Sequence, residues 1–147
     1  MLKHRHGGDI YSTSYRMDYS ANINPLGIPK SVVEAAQRSI LECEHYPDVD
    51  CRELKKSLAE KEKIDIEYLI CGNGAAELIF AVVQAEKPKK ALLLAPGFAE
   101  YEQALRGLGC EVLFYQLKKE NNFRYEKEYK NHLTAELDMI FLCNPNN

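Results

Sequence analysis

The sequence predicts an α/β protein whose core is a doubly wound parallel sheet, preceded by an irregular arm and two amphipathic helices. Three observations carry that expectation. From Tyr68 onward short apolar runs alternate with helical patterns, the signature of strands joined by helical crossovers. The run Ala91-Leu92-Leu93-Leu94-Ala95 is continuously apolar, as befits a strand covered on both faces. The segments that follow the expected strands, Gly72-Asn73-Gly74, Pro96-Gly97-Phe98 and Asn144-Pro145-Asn146-Asn147, are turn-forming. They lie where ligands bind in open α/β sheets, outside the carboxyl ends of the strands, so all three are expected to line one crevice.

Taken in order, residues 1–30 are rich in turn formers and end in Asn22-Ile23-Asn24-Pro25-Leu26-Gly27-Ile28-Pro29, which reads as an arm. Ser31 stands three residues before Glu34, a capping-box spacing, and Val32, Val33, Ala36 and Ile40 recur on one face, predicting a helix to about Cys43. After the turn His45-Tyr46-Pro47-Asp48, residues Cys51, Leu54 and Leu58 mark a second amphipathic helix that runs up to the charged Glu60-Lys61-Glu62-Lys63. Tyr68 to Cys71 reads as a strand and Ala75 to Glu86 as a helix mostly buried through Leu78, Ile79, Val82 and Val83. Beyond the apolar strand, Phe98 to Leu108 reads as a helix stopped by Gly109, Glu111 to Leu117 as a strand, Glu126 to Leu133 as a short helix and Leu137 to Cys143 as a strand.

Composition narrows the class. The 147 residues are 46% hydrophobic and 28% charged, an ordinary globular balance. With a net charge of -3 and lysines interspersed with acids, as in Lys61-Glu62-Lys63 and Lys118-Lys119-Glu120, no basic face for nucleic acid is expected. No apolar run is long enough to span a bilayer and the start lacks the apolar core of a signal peptide. The five cysteines are odd in number and show no Cys-x-x-Cys spacing, which argues against a disulfide framework or a metal site and fits a reducing cytoplasm.

The most informative stretch is Cys71-Gly72-Asn73-Gly74-Ala75-Ala76-Glu77. Glycines allow a sharp turn that brings backbone N–H groups close to a ligand, and the following helix adds unpaired N–H groups and the positive end of its dipole. Such a turn suits a phosphate, although a short Gly-x-Gly between strand and helix is weakly specific by itself.

Together, Gly72-Asn73-Gly74-Ala75-Ala76-Glu77-Leu78, Ala95-Pro96-Gly97-Phe98-Ala99-Glu100-Tyr101 and Leu142-Cys143-Asn144-Pro145-Asn146-Asn147 resemble the first half of a fold-type I pyridoxal-phosphate (PLP) enzyme of the aminotransferase superfamily. Within it, His6-Gly7-Gly8-Asp9-Ile10-Tyr11 followed by Asp18-Tyr19-Ser20-Ala21-Asn22-Ile23-Asn24-Pro25-Leu26-Gly27 is similar to the opening of the threonine-phosphate decarboxylase family of cobalamin biosynthesis, a near relative of histidinol-phosphate aminotransferases. The resemblance covers essentially the whole chain. It implies an amino-terminal arm and small-domain segment over residues 1–45 and the first, incomplete part of the large doubly wound PLP-binding domain over 46–147.

By this resemblance Gly74, Ala75 and Ala76 hold the cofactor phosphate through backbone N–H groups. Many relatives place a hydroxyl in this turn, and two alanines here forgo about 1 kcal/mol of hydrogen bonding. Phe98 matches the aromatic residue that stacks on the pyridine ring; a core phenylalanine opening a helix is the plainer alternative. Asn147 matches the asparagine that hydrogen-bonds the phenolic oxygen, and Tyr46 the tyrosine that reaches the neighbouring subunit's phosphate in a homodimer, though a turn tyrosine packing its ring fits as well. Asn22, with His6 and Gly7, matches the mouth that receives a phosphorylated amino-acid substrate; a solvated histidine in a flexible arm is the commoner outcome. The lysine that bonds the cofactor aldehyde, the aspartate on the pyridine nitrogen and the substrate-binding arginines are expected beyond residue 147, so the chain reads as an amino-terminal fragment with no catalytic lysine of its own. Alone it is expected to be inactive. The resemblance is compatible with decarboxylation, with amino transfer to a phosphorylated substrate, and with a truncated product that does neither.

Overall fold

A computed structural model of the chain describes residues 7–12, 14 and 17–146. The chain packs as two units, residues 1–69 and 70–147. Within the first unit the helix Arg52–Glu62 packs with the turn after it.

In the first unit, helix α1 spans Lys30–Ser39 and continues as a 3-10 turn, Ile40–Glu42. The expected capping box does not form. Pro29 is the N-cap, its carbonyl accepting the Val32 and Val33 N–H groups at 2.9 and 3.2 Å, and Ser31 is already helical. Proline preorganises the entry, and its missing N–H costs nothing at a helix start. Glu34 instead faces Lys30 at 3.6 Å. Helix α2, Arg52–Glu62, is anchored by Asp48, whose carboxylate accepts the Arg52 backbone N–H at 2.8 Å and its guanidinium at 2.6 Å. These bonds, the backbone one foremost, hold the Asp48 carboxyl below its ordinary pKa.

In the second unit, helix α3, Gly74–Glu86, leads through a left-handed Lys87 into strand β1, Lys90–Ala95. Helix α4, Ala99–Gly107, then strand β2, Glu111–Gln116, and strand β3, Met139–Phe141, complete the framework. The sheet is parallel, in the order β2-β1-β3, with Ala91 beside Val112 and Met139, and Leu93 beside Phe114 and Phe141. Helices α3 and α4 pack on one face around a core of Val83, Ala91, Leu93, Ala104, Leu105 and Cys110. Burial raises the Cys110 thiol above its ordinary pKa. The pleat turns the fully buried Leu92 to the opposite face. On that face Tyr115 meets Tyr129 and His132 from the connection between β2 and β3, with ring centroids 5.0 and 5.2 Å apart.

Three further expectations are corrected. Tyr68 to Cys71 is not a strand: Ile66–Tyr68 is a 3-10 turn, and the extended residues from Leu69 have no ladder partner in the described sheet. Pattern alone supplies a strand-like run, but a strand needs a neighbour to bond. The segment Lys127–His132 is 3-10 rather than α-helical. Helix α3 is not mostly buried: Val83 is covered, whereas Phe80 and Val82 remain 44% and 47% exposed. The sheet and α4 cover only one of its faces.

Candidate functional site

At the carboxyl ends of β1 and β3 two loops meet, and the first of them leads into Phe98. Beyond β1 the backbone passes through a cis Ala95–Pro96 peptide to Phe98, and beyond β3 it passes through a cis Asn144–Pro145 peptide. The Asn146 side-chain amide donates to the Pro96 carbonyl at 3.1 Å, tying the two loops together. Between them lies a cleft of about 390 Å³, lined among others by Gly97, Tyr101, Phe123, Tyr125, Cys143 and Asn144. The glycine turn at 72–74 does not line this cleft, so two of the three loops share the crevice expected for all three.

Phe98 is the N-cap of α4, in extended geometry, and 41% exposed. Its ring meets Tyr101 edge-on at 5.6 Å, and Tyr101 stacks on Phe141 of β3 at 4.5 Å and 20°. The aromatic contacts fix the Phe98 ring to the sheet while much of it stays open. Phe98 is therefore not a buried core residue. Burial, and then hydrogen bonding with Cys143, raise the Tyr101 hydroxyl above its ordinary pKa. Tyr101, Phe123, Tyr125 and Cys143 were not marked by the sequence. Tyr101 and Cys143 carried a signal, the first by its place one helical turn after Phe98 and the second by its place in the motif after the last strand, whereas Phe123 and Tyr125 carried none.

Gly74 opens α3 with φ +84°, a conformation that favours glycine. Its N–H turns back to the Gly72 carbonyl at 2.9 Å. Ala75 and Ala76 follow in the first turn, where helix N–H groups have no acceptor within the helix. An anion with several oxygens suits this end, and the methyl side chains leave the approach clear. Asn73, the N-cap, makes no capping bond with its side chain. The Glu77 carboxylate instead accepts the Asn73 backbone N–H, and the Asn73 side-chain amide lies 3.3 Å from the same oxygen.

In the first unit, Gly7 approaches Ser20 so closely that a Cβ there would lie 1.8 Å from the Ser20 carbonyl oxygen. The Gly8 N–H donates to the Ser20 hydroxyl at 2.8 Å, so Gly7 packs two residues from Asn22 in sequence. Tyr46 stands fully exposed in the turn before α2, so its ring is not packed. His6 and Asn147 lie outside the described residues. Among the described residues there is no metal-binding cluster and no helix long and apolar enough to cross a membrane.

Residues 16–147 match the model of the aminotransferase class I and II family. The chain is 39% identical over 150 residues to the threonine-phosphate decarboxylase of Salmonella typhimurium, an alignment covering 97% of this chain and 41% of that protein. Among solved structures it is similar to the histidinol-phosphate aminotransferase of Clostridium acetobutylicum, at 35% identity and a TM-score of 0.74 over 88% of this chain and 38% of that one. The L-threonine-O-3-phosphate decarboxylase of Porphyromonas gingivalis matches at 30% identity and a TM-score of 0.63, over 80% of this chain and 34% of that one. The chain thus spans about two fifths of the curated relatives it matches.

Proposed function

Because the chain belongs to the aminotransferase class I and II family, we propose that its parent protein is a PLP-dependent carboxy-lyase that converts O-phospho-L-threonine to (R)-1-aminopropan-2-yl phosphate for cobalamin biosynthesis. The observation that carries this reading is the 39% identity to a threonine-phosphate decarboxylase along 97% of the chain, the amino-terminal arm included.

The residues present fit the cofactor. The first turn of α3 offers the Ala75 and Ala76 N–H groups to a phosphate, with Gly74 bending the backbone into place. Phe98 offers a partly open aromatic ring that meets Tyr101 edge-on. Asn147 follows Asn146, whose bond to Pro96 sets the spacing between the loops after β1 and β3. When bound, PLP would supply an electron sink for the bonding pair left on the substrate carbon as its carboxylate is lost as CO₂, the carbon taking a proton in its place. The chain's residues would bind and orient it: the glycine turn would take the phosphate, Phe98 would pack on the ring and Asn147 would hydrogen-bond the phenolic oxygen. Gly7, Asn22 and His6 belong to the substrate mouth. Tyr46, exposed in its turn, is free to reach a second subunit of a homodimer. The protein would work in the cytoplasm, with no nucleic-acid or membrane partner.

A second reading is supported by the 35% identity and TM-score of 0.74 to a histidinol-phosphate aminotransferase. The protein expressed from its native gene, supplied with PLP and O-phospho-L-threonine, tests both. Release of CO₂ is expected. Amino transfer from histidinol phosphate to 2-oxoglutarate without CO₂ establishes the second reading.

A further inference from the structure

We propose that Glu77 is a positioning residue that holds the glycine turn in its anion-receiving shape; this role rests on the cofactor reading above. In most helix starts a Ser, Thr, Asp or Asn side chain at the N-cap satisfies one of the free N–H groups. Here Asn73 occupies the N-cap and its side chain does not cap. Ala75 and Ala76 supply no hydroxyl. The work falls to Glu77, one position beyond the place a capping-box acid occupies. Its Oε2 accepts the Asn73 backbone N–H and lies 3.3 Å from the Asn73 amide nitrogen. A Cβ on Gly72 would lie 2.8 Å from that same oxygen, so the carboxylate sits directly against the bend and Gly72 leaves room for it.

The consequence is a division of labour among the donors. The Asn73 N–H goes to Glu77 and the Gly74 N–H to the Gly72 carbonyl. The Ala75 and Ala76 N–H groups remain for the phosphate. Glu77 contributes reach rather than charge, since a carboxylate near a phosphate dianion is in itself unfavourable. A neutral acceptor of the same length should therefore serve as well, and a shorter carboxylate should not.

The test uses the protein expressed from its native gene and compares its affinity for PLP with that for pyridoxal, which lacks the phosphate. The ratio isolates the phosphate cradle from the ring site, and absorbance of the bound ligand reads both without turnover. Glu77→Asp keeps the charge and loses a methylene; the preference for PLP is expected to fall about tenfold. Glu77→Gln keeps the length and loses the charge; the preference is expected to stay within about threefold of the parent's. Unchanged preference in Glu77→Asp, or its loss in Glu77→Gln, overturns the role. Hydrogen exchange at the Asn73 amide gives a readout in the parent protein: slow exchange supports the bond, and exchange at the rate of an open turn overturns it. A parent protein that binds PLP no better than pyridoxal overturns the cofactor reading itself, an outcome distinct from a failure confined to Glu77.

Discussion

At the scale of single residues, the site depends on backbone conformations that only certain side chains permit. Gly74 combines φ +84° with open space around a built Cβ, so a larger residue there meets conformational strain and no collision. For an L-residue in the left-handed region that strain is about 1–2 kcal/mol. Gly74→Ala is accordingly expected to lower stability by about 1 kcal/mol. It should also weaken anion binding at the head of α3, because the backbone relaxes toward negative φ and turns the following N–H groups. Urea denaturation, with and without inorganic phosphate, checks this. Equal stabilisation of parent and variant by phosphate would show that the turn tolerates the change.

Among the elements, the β1–β3 pairing is held by more than its ladder. The Asp138 carboxylate, just before β3, accepts the Lys89 and Lys90 N–H groups at 2.8 and 3.0 Å where β1 begins. Those bonds hold its carboxyl below the ordinary 3.8. Lys90 adds an ion pair to Glu136 at 2.9 Å, which lowers the Glu136 carboxyl and raises the lysine. A carboxyl depressed in the folded state stabilises above its unfolded pKa, and the contribution is lost as pH falls through the folded value. Asp138→Asn is therefore expected to melt below the parent at pH 7, with the gap closing below about pH 4. Circular-dichroism melts across that range measure it, and a gap independent of pH would remove the charge from the explanation. Asp138 also shows what the sequence could not disclose. The alternation of apolar runs revealed β1, β2, α3 and α4, each of which places at least one side chain in the buried interior. A lone acid before a short strand carries no periodic signal, and its partners lie 48 and 49 residues away. The same limit applies to the site. Gly74, Ala75, Ala76 and Phe98, the residues proposed for the cofactor, are singled out by local turn and motif chemistry alone. Tyr125 and Cys143 reach the cleft only through the pairing order β2-β1-β3. The segment at 68–71 failed in the opposite direction, since an apolar run looks like a strand whether or not a neighbour bonds to it.

For the molecule as a whole, the balance of covered and uncovered apolar surface decides its behaviour. In the second unit Leu92 is fully buried, yet its neighbours across the sheet, Leu113 and Ile140, are 36% and 39% exposed. Ile70 and Leu142 add further open apolar surface, as do Phe80 and Val82 on α3. Both outer strands, β2 and β3, have an unpaired edge within the described sheet. Uncovered apolar faces and strand edges favour association with whatever presents a matching surface. The 147-residue chain expressed alone is therefore expected to self-associate rather than remain monomeric, and to bind a dye that reports exposed apolar surface. Substituting Leu113 and Ile140 together by threonine, which keeps strand propensity while reducing apolar area, should shift the population toward monomer. Size-exclusion chromatography with light scattering gives the mass directly. A monodisperse monomer of the unsubstituted chain would mean that the open side of the sheet is compatible with water, and that the driving force for covering it is weaker than its residues imply.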